Sequence, residues 1–350
     1  MSWGGFDERI INLNNARQVN EVRQFLSNFD LIFDETAIEY TMALYRDNSI
    51  IATGSFMGEV LRNIAVEDSL QGEGLTSVVI SHLLKAASRR GIFHYFIYTK
   101  PEKAHLFAAL GFKEIGKVEP YAALLESGLG SIDSYCREIS ASAAKLPPEN
   151  RACLVVNCNP FTLGHKAVIA KAAAENQGVV VLVVSEEKSV FPFEVRLDLV
   201  KAGLSEYNNV VIVPAGKYIV SAATFPGYFT RGDETVLAQT RLDAEIFSRH
   251  IAPALKVTTR YVGSEPYCSI TRAYNQALLE VLPQKGIKVV EMPRLAINGE
   301  IISASKVRQA IRDNDWQTVR RMVPDSTYLY LISDEGKLIA NIIRRVKSRH

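Results

Sequence analysis

The sequence predicts an α/β protein with two domains, an α+β domain followed by a domain built on a parallel sheet. A chain of 350 residues is long for a single domain. Residues 142–150, SAAKLPPEN, are small and polar and contain a Pro-Pro pair that blocks helix formation, as a linker does. After them, valine-rich strands alternate with helices, which indicates a parallel sheet covered on both faces. We therefore place the domains at residues 1–146 and 147–350.

The elements of the first domain follow from apolar periodicity. The stretch AIEYTMALY, residues 37–45, has apolar side chains at alternate positions, which is typical of a half-buried strand. The other elements predicted before the linker are strands at 50–56, 60–66 and 92–98 and helices at 74–89 and 101–111.

In the second domain, the elements predict where a ligand would bind. Strands are predicted near residues 152–156, 179–184, 210–213, 257–262 and 288–292, with helices between them. Ligands of open parallel sheets bind beyond the carboxyl ends of the strands. The segment NCNPFTLGHKAVIAKA, residues 157–172, follows the first of these strands and leads into a helix. We expect a ligand site at this junction, because the start of a helix attracts anions.

Composition excludes several classes of protein. Apolar residues make up 47% of the chain, charged residues 22%, and the formal net charge is +2, which gives no field that favours nucleic acid or a membrane surface. The amino terminus lacks the apolar core of a signal peptide, and no apolar run approaches the roughly 18 residues of a membrane helix. The 4 cysteines form no C-x-x-C pair, so neither a zinc site nor a disulfide framework is indicated. We expect a cytoplasmic protein with no nucleic-acid partner, no membrane association and no metal-ligand cluster.

The tetrapeptide TLGH is the first candidate for chemistry. Thr162 and His165 are three residues apart, so their side chains meet on the first turn of a helix. Gly164 removes a side chain where the backbone would approach a ligand. A hydroxyl, an imidazole and open N–H groups at one place suit a phosphate whose charge grows as a nucleophile attacks. For this tetrapeptide alone, a threonine N-cap beside a surface histidine is an equal alternative.

A second candidate is the stretch ISASKVR, residues 302–308. Ser303 suits the N-cap of a helix, and Ser305 would lie in its first turn beside free N–H groups. Arg308 lies one turn further on and can reach back toward phosphate oxygens. Capping requires Ser303 alone, so the spacing of the three residues indicates an additional role.

Together these two motifs resemble those of the nucleotidyltransferase superfamily, which carries (H/T)-x-G-H near the first strand and I-S-x-(S/T)-x-x-R near the carboxyl terminus. The stretches SEEKSVFPFEVRLDLVK, TFPGYF and YVGSEPYCSITRAYNQAL are similar to the citrate lyase ligase family within it. The resemblance covers nearly the whole chain.

The resemblance implies a reaction in two steps. Members of that family form acetyl-adenylate from acetate and ATP with Mg²⁺, and then acetylate the thiol of the prosthetic group on the acyl-carrier subunit of citrate lyase, which activates the lyase. A rival enzyme class would adenylylate a phosphate-bearing acceptor such as phosphopantetheine or nicotinamide mononucleotide. A third class is a regulator that senses acetyl-CoA and ATP without catalysis.

The resemblance also implies roles for individual residues. Catalysis would fall to His165, Thr162 and Lys188. The residues implied in ATP binding are Asn159, Pro160, Phe161, Gly164, Arg196, Gly263, Glu265, Ser303, Ser305 and Arg308. The alternatives are an exposed loop lysine for Lys188, a solvated helix residue for Arg196 and an ordinary turn for the sequence GSEP. Because Thr162 stands where many members of the superfamily have histidine, His165 alone supplies an imidazole.

The first domain resembles the GNAT acetyltransferases. Their (Q/R)-x-x-G-x-(G/A) segment binds the pyrophosphate of coenzyme A, and LQGEGLTSVVISHLL matches it. The residues implied in binding a coenzyme A-like arm are Gln71, Gly72, Gly74 and Thr76, the last departing from the small residue of the pattern. In AHLFAALGF, Phe107 stands where many members have tyrosine, so this side chain cannot donate a proton to a thiolate. Two alternatives follow, a catalytic domain or one that only docks the arm of the carrier, and our hypothesis is docking.

Overall fold

The computed structural model describes residues 5–225, 233–266, 268–297 and 299–345. Most of TFPGYF and the second tyrosine of YVGSEPY lie outside the described residues. The chain forms two compact units; within the described residues the first ends at Ser131 and the second begins at Ile132. The helix Ile132–Ser142 therefore belongs to the second unit and precedes the predicted linker. The division of functions at residue 146 stays a prediction.

The first unit is built of a mixed sheet and three α-helices among its described residues. Its strands are β1 (Asp7–Ile10), β2 (Tyr40–Arg46), β3 (Ser49–Met57), β4 (Val60–Val66), β5 (His94–Thr99), β6 (Lys113–Val118) and β7 (Ala122–Gly128). Its helices are α1 (Ala16–Ser27), α2 (Leu75–Ser88) and α3 (Ala104–Ala108). The helix predicted at 101–111 is shorter than expected, because its first turn is a 3₁₀ helix.

In this unit the described strands follow the order β1-β2-β3-β4-β5-β7-β6. Neighbouring strands are antiparallel except β4 and β5, which are parallel and paired where Val60 and Leu61 lie beside Phe96 and Ile97. Helix α2 packs closely on β3, because a Cβ on Gly54 would lie 2.5 Å from a methyl group of Val79. The α+β character predicted for this domain is confirmed.

The second unit contains a parallel sheet flanked by helices. The strands of this sheet are β8 (Arg151–Val156), β9 (Gly178–Val183), β10 (Val210–Pro214), β11 (Val257–Gly263) and β12 (Lys288–Met292). Two short strands, β13 (Ala296–Ile297) and β14 (Glu300–Ile301), form a separate antiparallel pair. The helices of this unit are α4 (Ile132–Ser142), α5 (Leu163–Glu175), α6 (Phe193–Gly203), α7 (Asp233–Ile246), α8 (Ala252–Leu255), α9 (Ser269–Val281), α10 (Ala304–Arg312), α11 (Trp316–Met322), α12 (Asp325–Ile332) and α13 (Asp334–Arg345). A π-helical segment, Phe247–Ile251, precedes α8.

The described strands of this sheet follow the order β10-β9-β8-β11-β12, and all pairs are parallel. The chain therefore runs outward from β8 through β9 to β10 and returns on the other side of β8. Such a reversal leaves a crevice at the carboxyl ends of β8 and β11. All six residues of β9 are buried, as expected for a strand covered on both faces. The predicted parallel-sheet domain and the five strand positions are confirmed.

The helices near the carboxyl terminus bring the second motif to this crevice. Ile302 and, on α10, Val307 and Ile311 are buried in one apolar core with Phe161, which precedes α5. Ile343 of α13 lies in the same core. Two motifs far apart in the sequence are therefore held by common packing. Among the described residues, no helix has the length and apolar content to cross a bilayer.

Candidate active site

The start of α5 places Thr162 and His165 in contact. Thr162 is the N-cap of the helix, and its Oγ1 lies 2.9 Å from Nδ1 of His165. The backbone N–H of Thr162 donates to the same ring nitrogen over 3.1 Å. The backbone N–H of His165 donates to the threonine hydroxyl over 3.4 Å. The threonine therefore caps the helix and also orients the imidazole, which is partly buried and not a surface side chain, and a role toward phosphate stays a prediction.

The His165 ring is neutral and its tautomer follows from these contacts. Burial, with a smaller effect of the nearby positive charge of Arg294, lowers the pKa of His165 to about 4. A backbone N–H can only donate, so the nitrogen facing Thr162 must be an acceptor. The hydrogen of the neutral ring therefore lies on Nε2. At neutral pH the side chain is an uncharged hydrogen-bond donor.

The second motif begins at the helix start that the sequence predicts. Ser303 is the N-cap of α10, and its Oγ accepts the N–H of Lys306 over 3.2 Å. Ser305 is exposed on the first turn. These positions leave N–H groups of the helix start toward the crevice, where an anion is favoured.

Arg308 connects the two motifs. Its side chain is buried, with 4% exposure, and Nη1 donates to the carbonyl oxygen of Asn159. Nη2 lies 3.5 Å from Oγ of Ser305. Burial, with a smaller effect of Arg312, lowers the pKa of Arg308 to about 10, so the guanidinium stays charged at neutral pH. The arginine therefore holds the two helix starts together and adds a positive charge to them.

At the end of β11, the predicted adenosine residues form a braced loop. The Gly263 carbonyl accepts from the side-chain amide of Asn275 over 2.8 Å. Oε1 of Glu265 accepts the N–H of Cys268 over 3.1 Å, and Oε2 forms an ion pair with Arg294. The GSEP loop is thus more than a free turn, because its carboxylate is fixed from two sides.

A cavity of about 250 Å³ lies at the carboxyl edge of the sheet. Six predicted site residues line it: Thr162, Gly164, His165, Gly263, Glu265 and Ser303. Other residues around it are Asn157, Arg260, Thr271, Tyr274, Asn275 and Arg294. The structure therefore brings both motifs and the end of β11 to one space. The predicted residues Asn159, Pro160, Phe161, Lys188, Arg196, Ser305 and Arg308 are not among its lining residues.

Arg196 lies behind the cavity rather than in it. Its side chain is fully buried, and four carbonyl oxygens accept its hydrogen bonds over 2.7 to 3.0 Å, those of Asn157, Val184, Glu186 and Phe191. These contacts fix the loop between β9 and α6 to the end of β8. They give Arg196 a structural role, and an additional role in ATP binding stays a prediction.

Asn159, Pro160 and Phe161 support the start of α5 from within the core. All three are buried. Oδ1 of Asn159 accepts the N–H of Phe191 over 3.2 Å. The Phe161 ring stacks on His165, with ring centroids 6.1 Å apart and an angle of 14° between the planes. These residues position the imidazole and do not line the cavity.

Lys188 is placed differently from Arg196. It lies exposed in the loop after β9. Among the described residues it has neither a hydrogen bond nor an ion pair. A long cationic side chain at the carboxyl end of a parallel strand can reach toward a phosphate bound nearby.

Two arginines around the cavity were not predicted from the sequence. Arg294 lies two residues after the end of β12, so the rule that pointed to Gly263 could have found it. Arg260 is buried inside β11, and its neighbours in sequence resemble those of an ordinary strand. No sequence signal separates such a residue from a structural arginine.

In the first unit, the predicted arm site is an exposed helix start. Gly74 is the N-cap of α2 with φ +82°, and Gly72 has φ +92°, so both adopt the left-handed conformation that glycine favours. Gln71 is exposed and donates to Asp68 over 2.6 Å. Thr76 lies in the first turn. This geometry leaves backbone N–H groups open to an anion.

The side chain at the position where many GNAT members have tyrosine has a structural role here. Phe107 is buried in the core of the first unit. Among the described residues, no group of three or more His, Cys, Asp or Glu side chains is arranged to hold a metal ion.

The second unit has the architecture and motif placement of the nucleotidyltransferase superfamily: a parallel sheet with a switch point, and two motif-bearing helix starts at its carboxyl edge. Residues 151–331 match the family described as citrate lyase ligase C-terminal domain. The citrate (pro-3S)-lyase ligase of Klebsiella pneumoniae is 34% identical over 330 residues, which cover 93% of this chain and 96% of that protein. The corresponding ligase of Escherichia coli K12 is 36% identical over 321 residues, which cover 90% of each chain. The chain belongs to the citrate lyase ligase family.

One solved structure similar to the amino-terminal part is an acetyltransferase of the GNAT family from Staphylococcus aureus Mu50. The identity is 12% and the TM-score 0.30, and the match covers 35% of this chain and 100% of that chain.

Proposed function

We propose that this protein is an ATP-dependent ligase that forms acetyl-adenylate from acetate and ATP and then acetylates the prosthetic-group thiol of the citrate lyase acyl-carrier subunit. The observation that carries the proposal is the meeting of two helix starts, α5 and α10, at one cavity beside a neutral histidine. The relatives named citrate (pro-3S)-lyase ligases support a ligase that acts on citrate lyase. The reaction is proposed to take place in the cytoplasm.

The triphosphate would lie between the starts of α5 and α10. Each helix start carries a partial positive charge and unpaired N–H groups. Arg308 adds a full charge, and Lys188 can approach from the end of β9. The adenosine would lie by Gly263 and Glu265, where the loop is fixed by Asn275 and Arg294.

In the first step, a carboxylate oxygen of acetate attacks the α-phosphorus of ATP. A P–O bond forms to the acid, the bond between the α-phosphorus and the bridging oxygen breaks, and pyrophosphate leaves with the electron pair. The chain positions the two reactants and stabilises the charge on the phosphate oxygens. The Nε2–H of His165 is suited to this, since an uncharged preorganised donor strengthens its hydrogen bond as that charge grows.

Mg²⁺ would enter as the counterion of ATP. Among the described residues that line the cavity, one has a carboxylate side chain, Glu265, and it is paired with Arg294. The residues present therefore do not form a dedicated metal site, and we assign no step to a metal held by the protein.

In the second step, the thiol of the carrier gives its proton to solvent and its sulfur attacks the acetyl carbonyl carbon. The bond from that carbon to the phosphate oxygen breaks, and AMP leaves. We propose that the start of α2, with Gln71, Gly72, Gly74 and Thr76, holds the pyrophosphate of the prosthetic arm. Since AMP is a good leaving group, no proton donor is needed at Phe107.

Exchange of labelled pyrophosphate into ATP tests the first step. We expect exchange that depends on acetate and does not occur with phosphopantetheine. Mass spectrometry of the purified carrier, incubated with this protein, ATP and acetate, should then show an added acetyl group. Phosphopantetheine-dependent release of pyrophosphate without acetate dependence would refute the proposal in favour of an adenylyltransferase.

A further inference from the structure

Arg260 is a buried cation at the wall of the cavity. It lies on β11, its exposure is 1%, and it is one of the residues that line the cavity. Among the described residues, the acceptor for its guanidinium is the sulfur of Cys153, 3.5 Å from Nη1. Its Nε is buried and has no hydrogen-bond partner in the described part of the chain. Its carbon Cζ lies 4.6 Å from the centre of the Phe247 ring.

The carboxylate of Asp243 interacts electrostatically with this guanidinium, but in the described part of the chain it forms no hydrogen bond with it. Oδ1 of Asp243 accepts the N–H of Val220, and Oδ2 accepts the hydroxyl of Tyr274, each over 2.7 Å. No ion pair of Arg260 exists within the described residues. Burial raises the pKa of the Cys153 thiol, which therefore stays protonated. The guanidinium thus has an acidic neighbour but no charged hydrogen-bond acceptor, and an anionic ligand bound directly to it would lower the cost of its burial.

Arg260 and the proposed triphosphate lie on opposite faces of the sheet. Successive side chains of a strand point to opposite faces. The hydroxyl of the next residue, Tyr261, donates to Glu175 over 2.7 Å and accepts from Asn176 over 3.1 Å, at the end of α5. Arg260 therefore points to the face opposite α5, where it contacts Phe247. The cavity reaches both faces at the edge of the sheet, because it touches His165 on one side and Tyr274 on the other.

We propose that Arg260 binds the carboxylate of the acid substrate, an inference that rests on the proposed function. A guanidinium binds a carboxylate through parallel N–H groups, and the weak sulfur acceptor is readily exchanged for a charged one. The acid would then approach the α-phosphate from the face opposite α5, while the phosphates stay at the helix starts. This placement separates the two negatively charged reactants until the carboxylate oxygen reaches the phosphorus.

Acid-dependent pyrophosphate exchange by Arg260→Lys and Arg260→Gln tests this assignment. We expect Arg260→Gln to raise the KM for acetate about 10- to 100-fold, the usual effect of losing a charge-assisted hydrogen bond, with the KM for ATP unchanged. Arg260→Lys keeps the charge but not the parallel donors, so its KM for acetate should lie between those of Arg260→Gln and the unmodified chain. A rise in the KM for ATP instead would assign Arg260 to the phosphates and overturn the proposal.

Arg151→Gln is the matched control. Arg151 is also a buried arginine, on the adjacent strand β8, but it does not line the cavity, and it donates to the carbonyls of Leu146, Pro147 and Leu255. We expect this variant to unfold at a lower temperature while keeping the KM for acetate. An equal rise of the KM for acetate in Arg151→Gln would show that the effect is structural and would overturn the assignment.

A measurement on the unmodified chain covers the case in which Arg260 variants fail to fold. In a crystal structure with acetate and a non-hydrolysable ATP analogue, the carboxylate should lie within hydrogen-bond distance of Arg260. A carboxylate bound elsewhere in the cavity would overturn the inference and leave the proposed function intact. Absence of acetate-dependent exchange by the unmodified chain would refute the proposed function itself.

Discussion

At the residue scale, His165 combines two tasks in one ring. Nδ1 accepts from the start of α5, and this leaves the hydrogen on Nε2. The ring is held by Thr162 on one side and by stacking on Phe161 on the other. A donor fixed in this way needs little reorganisation when charge develops on a phosphate.

His165→Ala should therefore reduce acetate-dependent pyrophosphate exchange. A preorganised donor to a developing charge is usually worth about 3 kcal/mol, so we expect a loss of about 100- to 1000-fold. Thr162→Ser keeps the hydroxyl that caps the helix and orients the ring, and it should retain most of the activity. Exchange by His165→Ala at nearly the unmodified rate would contradict the proposed role.

The depressed pKa of His165 also predicts how stability depends on pH. The pKa is about 4 in the folded chain and 6.5 for an ordinary histidine, so between these values the unfolded chain binds the proton and the folded chain does not. The contribution of His165 to stability is complete above pH 6.5 and is lost as the pH falls toward 4. Titration of the ring by NMR should give a midpoint well below 6.5. A midpoint near 6.5 would show that the ring is solvated and charged in the acid range.

Residue patterns predicted the contact between Thr162 and His165, because spacing on a helix is a local property. They did not predict that Arg196 would be enclosed by four carbonyl groups, since those acceptors come from the end of β8 and from a loop whose path depends on tertiary packing. Arg260 could not be predicted for the same reason. Its environment is made by elements distant in the chain.

At the scale of elements, the loop between β9 and α6 and the beginning of α6 carry two cations with opposite surroundings. Lys188 is exposed on the loop, and Arg196 at the start of α6 is buried beneath it. We expect Lys188→Ala to reduce pyrophosphate exchange without lowering the melting temperature. Arg196→Lys should lower the melting temperature, because each buried carbonyl that loses its donor costs about 1–3 kcal/mol. Thermal unfolding and exchange rates measured on both variants separate the two roles, and equal melting temperatures would contradict this distinction.

The link between α5 and α10 depends on Arg308. Arg308→Ala removes a donor from the buried Asn159 carbonyl, so it should destabilise the fold by about 1–3 kcal/mol and weaken ATP binding. Ser303→Ala removes an N-cap and should cost about 1 kcal/mol. Unfolding in urea and titration with ATP report both quantities. If Arg308→Ala left both stability and ATP affinity unchanged, the arginine would have neither role.

Elements with a strong local hydrophobic pattern were predicted from the sequence, and elements with a weak one were not. The parallel strands were predicted because runs such as GVVVLV are apolar at every position. Strand β1 and helix α1 were not assigned, since all four residues of DERI are exposed and ARQVNEVRQFLS buries three side chains. An edge strand and a polar surface helix leave only a weak trace in the hydrophobic pattern.

At the scale of the whole molecule, the proposal gives the two reaction steps different requirements. Adenylate formation uses groups of the second unit, which has its own apolar core and sheet. Transfer to the carrier also uses the helix start in the first unit. A change confined to Gly74 should therefore affect one step and spare the other.

Gly74→Glu tests this separation, with Gly74→Ala as its control. Both variants place a side chain at φ +82°, where the strain is about 1–2 kcal/mol, and a Cβ there meets open space. Only glutamate adds a negative charge to the proposed pyrophosphate site. We expect both variants to exchange pyrophosphate normally and Gly74→Glu alone to lose acetylation of the carrier. Normal carrier acetylation by Gly74→Glu would exclude the first unit from handling the arm.

The contacts of helix α4 determine where domains of related chains can be exchanged. It is encoded before the proline-containing linker, yet its Tyr135 hydroxyl donates to the carbonyls of Pro214 and Ala215 over 3.1 and 2.8 Å. A Cβ on Gly216 would lie 2.7 Å from the Tyr135 ring. A chimera must therefore take Tyr135 and Gly216 from the same parent chain. A chimera joined at the linker would separate them and leave the buried side chains of Ile132 and Ile139 on the wrong partner. Exchange of domains between relatives is therefore compatible with this fold only when the crossover precedes residue 132.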